Sequence, residues 1–238
     1  MLAGCTTRSI SDSGYEAGRG NSYGSYGRGG IAYQSELSEF DVLGIERGAS
    51  PTDEEIKRVL ASRKPFALKR GSRVMLLQSG ALIPDSPMTA AMSKYFSVGV
   101  FSGQPSMLAA KTGADGGGAE SYSRSLRLAA ARGGQETLVV YWGLLESARE
   151  NMASASVSWV PIVGWALPDE KQRMRIRLKV AVVDVASGQW EMFSPDAIDD
   201  GDTSSMLSRK TTDQILVNSL KEKAYVAAVE DLVKRFSR

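Results

Sequence analysis

Apolar residues recur at helical spacing in three stretches of the first half and alternate or run together as strands between them. The first helix is expected from Ser50, an N-cap, with Pro51 at the first helical position and Asp53 in the capping-box place. Ile56, Val59 and Leu60 share one face of it, and Pro65 lies beyond its end. A strand follows at Val74-Met75-Leu76-Leu77, closed by the turn residues Gln78-Ser79-Gly80. Asp85-Ser86-Pro87 opens a second helix whose Met88, Met92, Tyr95 and Phe96 share a buried face, with the methionines as core filler. Val98 to Phe101 is a short strand, and Glu120 to Arg132 a third helix with Tyr122, Leu126, Ala129 and Ala130 inward and Gly133 after its end.

The second half is richer in strands. Thr137 to Leu145 is almost continuously apolar, as a central strand covered on both faces would be. Ser156 to Leu167 contains Pro161 and Gly164 and reads either as an edge strand bent at the proline or as an apolar lip on which Trp159 and Trp165 dock a partner. From Arg175 to Val185, Ile176, Leu178, Val180 and Val182 alternate with Arg177, Lys179, Ala181 and Val183, so one face is apolar throughout and the other begins charged and ends apolar. The chain closes with an amphipathic helix from about Thr212 to Phe236, carrying Val217, Leu220, Ala224, Ala228, Leu232 and Phe236 at helical spacing. The expected fold is α/β, with α+β as the alternative: one mixed sheet flanked by helices and a long C-terminal helix.

Residues 6–35 interrupt this pattern with Gly, Ser, Tyr and Arg, as in Tyr23-Gly24-Ser25-Tyr26-Gly27-Arg28. As a flexible tether this length spans about 30 Å root-mean-square. The globular region is then expected over 36–238 as a single domain, large enough to bury a core without disulfides or a structural metal. With 29 basic and 27 acidic residues there is no nucleic-acid signature, and no apolar run approaches the ~20 residues of a spanning helix. The chain has no histidine, which excludes Ser-His-Asp and Cys-His catalysis and imidazole-ligated zinc.

Leu2-Ala3-Gly4-Cys5 contains the only cysteine and resembles the lipobox of bacterial lipoproteins, whose cysteine is acylated and becomes the new N-terminus. Residues 1–5 are then the remnant of a signal whose basic and apolar regions are expected upstream of Met1. The resemblance implies a membrane anchor at Cys5, and Thr6 in place of an aspartate implies the outer membrane, with the folded part facing the periplasm.

Candidate chemistry is sparse, and no cofactor or metal site is expected. The Gly-rich stretch Gly113 to Gly118 lacks the lysine and flanking context of a phosphate cradle. Asp196, Asp199, Asp200 and Asp202 around Gly201 do not have calcium-loop spacing and read as an exposed turn. If Ser187-Gly188 is a two-residue turn, Asp184 lies opposite Glu191, either as a solvated hairpin tip or as a carboxylate pair of the kind glycoside hydrolysis uses. The segment Lys179 to Trp190, a strand, an aspartate, a turn, a glycine and a second strand, resembles the hairpin of the TolB-N-terminal-like envelope lipoproteins. That group includes the curli secretion-channel lipoprotein and the lipoprotein activators of peptidoglycan synthases. The resemblance implies a noncatalytic module that assembles with itself or with another envelope protein. The alternative is a carboxylate-dependent hydrolase of cell-wall glycan, with Asp184 and Glu191 as acid and base.

Overall fold

A computed structural model describes residues 9–12, 36–46, 48, 50–105, 119–150, 157–161, 172–199 and 209–237. Helices α1 (Glu39–Leu43), α2 (Asp53–Ser62), α3 (Ser86–Ser93), α4 (Ala119–Arg132) and α5 (Arg209–Phe236) surround one mixed sheet. Its strands are β1 (Arg73–Gln78), β2 (Ser97–Val100), β3 (Thr137–Glu150), β4 (Val157–Pro161), β5 (Gln172–Asp184), β6 (Trp190–Phe193) and β7 (Ile198–Asp199). The α/β reading with a long closing helix holds.

The antiparallel pair β3–β5, in register from Thr137 opposite Asp184 to Arg149 opposite Gln172, is the spine. Short strands line both of its outer edges. Along β3, β1 pairs in parallel as far as Tyr141, and β4 pairs antiparallel from Glu146 onward. Along β5 lie β6 and β7, and β2 extends the sheet beyond β1. The crossovers β1–α3–β2 and β2–α4–β3 travel in opposite directions along the sheet, so right-handed connections put α3 and α4 on opposite faces.

The buried residues divide accordingly. Val74 and Leu76 of β1, Val139 and Tyr141 of β3, and Ile176, Leu178, Val180 and Val182 of β5 pack under α3 and α5. Met75, Leu77, Leu138, Val140 and Val183 pack on the other face with Leu126 and Ala130 of α4 and Val42 of α1. The alternation in β5 is as expected: Arg177 and Lys179 occupy the second face where helical cover ends, and Lys179 pairs with Glu39 of α1 at 2.5 Å. Beside them Glu146 is buried beneath Arg175 (2.5 Å) and Arg177 (3.2 Å).

Two local expectations are corrected. The capping box of α2 sits two residues later than Ser50: Thr52 is the N-cap and Glu55 its reciprocal partner, because the Glu55 side chain can reach back to the Thr52 N–H at 2.8 Å. The shared α2 face of Ile56, Val59 and Leu60 is exposed. The β5–β6 hairpin turns through four residues, with the Gly188 N–H donating to the Asp184 carbonyl and Gly188 at φ +75°. This aligns Val182, not Asp184, with Glu191.

A further departure concerns the stretch read as a tether. Ser9 is buried and forms an antiparallel bridge to Leu144, and Ile10, 1% exposed, belongs to the main core cluster. The bridge fills the interval on the β3 edge between the end of β1 pairing and the start of β4 pairing. Ile10 fits there because position 143 is glycine: a Cβ would stand closer than 3.0 Å to three Ile10 side-chain carbons.

Candidate functional site

In open α/β sheets the carboxyl ends of the parallel strands, at the point where the crossovers diverge, are where ligands bind. Here that point lies between β1 and β3. The last residue of β1, Gln78, points its amide into it and is buried. Its Oε1 accepts from the Tyr141 hydroxyl at 2.5 Å and from the Asp85 backbone N–H at 2.7 Å. Asp85 does not cap α3 with its side chain, although it occupies the N-cap position. Instead its Oδ2 accepts from Lys221 Nζ at 2.8 Å and from the Tyr225 hydroxyl at 2.5 Å. Lys221 is 0% exposed, and the Tyr141 and Tyr225 rings meet edge to face at 5.6 Å between centroids.

Asp85 is expected from the sequence only as a helix start, and Lys221 is not singled out there. The missed signal was a lysine one residue after Leu220 and four before Tyr225, hence on the inward side of an otherwise apolar helix face. Burial, reinforced by the Asp85 charge, holds the Tyr141 phenol well above its ordinary range. Burial does the same for Tyr225, with Tyr141 and Asp85 adding to it. Both phenols therefore remain donors at neutral pH, and the ion pair ties α5 to the start of α3.

The mouth of this crevice is occupied by the chain itself. Gln78 Nε2 donates to Ser11 Oγ at 3.0 Å, and the Ser11 hydroxyl donates to the Ser79 carbonyl at 2.5 Å. Ser79 Oγ in turn accepts from the Leu37 N–H at 2.7 Å. The described segments on either side of residues 13–35 thus both fasten to Ser79.

The residues singled out from sequence are scattered relative to this point. Asp184 Oδ1 accepts from the Ser187 N–H and hydroxyl at 2.7 and 2.6 Å, which closes the hairpin turn. Glu191 pairs with Arg63 beyond the end of α2. The two carboxylates are thus engaged with different partners rather than with each other. Trp159 lies in β4 opposite Ala148; Cys5 and Trp165 lie outside the described residues. Among the described residues no group of three cysteine or carboxylate side chains is assembled as a metal would require, and no helix is long and apolar enough to cross a membrane.

Fold and site together define a three-layer α/β protein whose strand-end crevice is closed by its own N-terminal segment. The chain matches the model of the YafT bacterial lipoprotein family over residues 38–235, and it belongs to that family. No curated protein matches it in sequence. It is accordingly a bacterial lipoprotein, held at a membrane of the cell envelope by lipidation.

Proposed function

We propose that this is an outer-membrane lipoprotein, acylated at Cys5 and facing the periplasm, whose domain over 36–238, with Ser9–Asp12 docked on it, acts by contact with another envelope protein. The observation that carries this reading is the closed crevice. The position where an α/β sheet offers a ligand site is filled by Ser9–Asp12, and the polar groups beneath it are engaged with one another. A fold whose ligand position is taken up by its own chain suits contact through its other faces. The strand–turn–strand hairpin and the closing helix support the kinship with TolB-N-terminal-like lipoproteins. Trp159 and Trp165, in and just after β4, are the assigned docking residues, because β4 is a short strand at the sheet margin.

The test begins with labelled fatty acid in cells expressing the chain behind a complete signal. Label incorporated by the native chain and lost in Cys5→Ala, with recovery in the outer-membrane fraction, is the expected result. A photo-crosslinking residue at position 159 or 165 should then yield one discrete adduct in the envelope, which a residue at the distant Glu191 does not form. Release of soluble glycan fragments from purified cell wall, abolished by Asp184→Asn or Glu191→Gln, would overturn the reading in favour of a hydrolase.

A further inference from the structure

The docked N-terminal segment restricts where the membrane can be. Between Cys5 and the bridge at Ser9 there are only Thr6, Thr7 and Arg8. Four residue steps span at most about 14 Å when fully extended. The bridge to Leu144 is antiparallel, so the chain enters Ser9 from the direction in which β1 and β3 run. An acylated Cys5 therefore holds the carboxyl end of the parallel strands close to the lipid.

That same end carries exposed apolar side chains. The loop after β1 exposes Leu82 (41%) and Ile83 (66%), and the end of β2 exposes Val100 (49%) and Phe101 (42%). The two loops are knit together. The Gly80 N–H donates to the Gly103 carbonyl and the Gly103 N–H to the Ala81 carbonyl, both at 2.9 Å. The approach is so close that a Cβ on Gly103 would collide with the Gln78 carbonyl oxygen. The loop bearing Leu82 and Ile83 begins at Ser79, which also holds Ser11. Anchor segment and apolar loops thus share one attachment.

We propose that the carboxyl edge of β1 and β2 is seated on the lipid bilayer, with Leu82, Ile83, Val100 and Phe101 entering its headgroup region beside the acylated N-terminus and the β3–β5 arm, which continues past Tyr141 to Glu150, lying along the surface. Exposed apolar residues lower their free energy by leaving water for the boundary of headgroups and acyl chains. An anchor within about 14 Å of Ser9, whose neighbour Ser11 is fastened to the start of the loop bearing Leu82 and Ile83, makes this contact effectively intramolecular. The proposal rests on acylation at Cys5. A second exposed apolar face, Ile56, Val59 and Leu60 of α2, is at the opposite end of the sheet: the residues that follow it, Arg63 and Lys64, meet Glu191 and Gln189 of the β5–β6 hairpin. It serves as the internal control.

The experiment uses the acylated full chain reconstituted into phosphatidylethanolamine–phosphatidylglycerol vesicles. A cysteine introduced after maturation-competent Cys5, in Ile83→Cys, Phe101→Cys or Ile56→Cys, carries an environment-sensitive fluorophore. The expected result is a blue shift and quenching by doxyl-labelled lipid at positions 83 and 101, and neither at 56. Serine at all four apolar positions should abolish both effects at a label placed on position 80 or 104 while the thermal transition is retained. Acylated protein whose position-83 label stays in water overturns this seating and leaves the lipoprotein reading intact. Absence of fatty acid on Cys5 overturns both.

Discussion

Removal of the Ile10 side chain tests whether the N-terminal segment is part of the fold. Ile10→Ala deletes three carbon groups from a side chain that is 1% exposed. At about 0.8 kcal/mol per buried group the loss is about 2.4 kcal/mol, before any cavity term. For a domain of this size that corresponds to a fall in Tm of roughly 5–10 °C. A tether residue would cost nothing. The assay is thermal and urea denaturation of the soluble Cys5→Ala form, combined with a double-variant cycle through Gly143. Gly143→Ala alone forces a methyl against Ile10 and should cost about 1–3 kcal/mol. In the Ile10→Ala background the same methyl enters vacated space, and alanine in a strand interior is favoured over glycine by about 0.5–1 kcal/mol. The double variant should therefore be no less stable than Ile10→Ala by itself. Additive losses, or an unchanged Tm in Ile10→Ala, would refute the docked segment.

The buried polar cluster supports two more predictions. Tyr141 and Tyr225 stay protonated in the fold, whereas in the unfolded chain they ionise near pH 10, so stability is full below about pH 10 and is lost as pH rises beyond it, by up to about 1.4 kcal/mol per pH unit for each phenol. Urea midpoints measured across the alkaline range should fall more gently in the Tyr141→Phe/Tyr225→Phe variant; equal slopes would count against the assignment. Lys221→Met strands the Asp85 carboxylate and should cost about 3–5 kcal/mol by urea denaturation, with Asp85→Asn in the same chain recovering part of the loss. No recovery would mean that the lysine acts through its stem rather than its charge.

The elements were legible where a single face had to be buried. The alternation in β5 and the spacing in α5 each follow from one buried face, and they placed Ile176 to Val182 and Leu220 to Phe236 in the core. What stayed hidden depended on distant pairing. The register of the β5–β6 hairpin was set by a four-residue turn closed by the Asp184 side chain and Gly188, and the two-residue reading displaced Glu191 by two positions. The docking of Ile10 was invisible for a related reason. One apolar residue amid Gly and Ser carries no period, and its complement, the missing side chain at Gly143, lies far along the chain. Lys221 was concealed by type: a charged residue on a helix is read as solvated until its partner, Asp85, is known.

The docked segment also changes what the lipid anchor can do. A tether through residue 35 would let the domain sample orientations within about 30 Å of the bilayer. Fastening at Ser9 replaces that freedom by a reach of about 14 Å from a defined point on the β3 edge. On the proposed seating, the β5–β6 hairpin and α2 are at the end of the sheet away from the lipid. That end displays Ile56, Val59, Leu60 and Trp190 to solvent, next to the ion pair of Arg63 with Glu191. The side margin with β4 and Trp159 is nearer the anchor. An envelope partner therefore meets a molecule whose α2 end and β4 margin stand at different heights above the membrane, and the height at which it crosslinks tells which of them it uses.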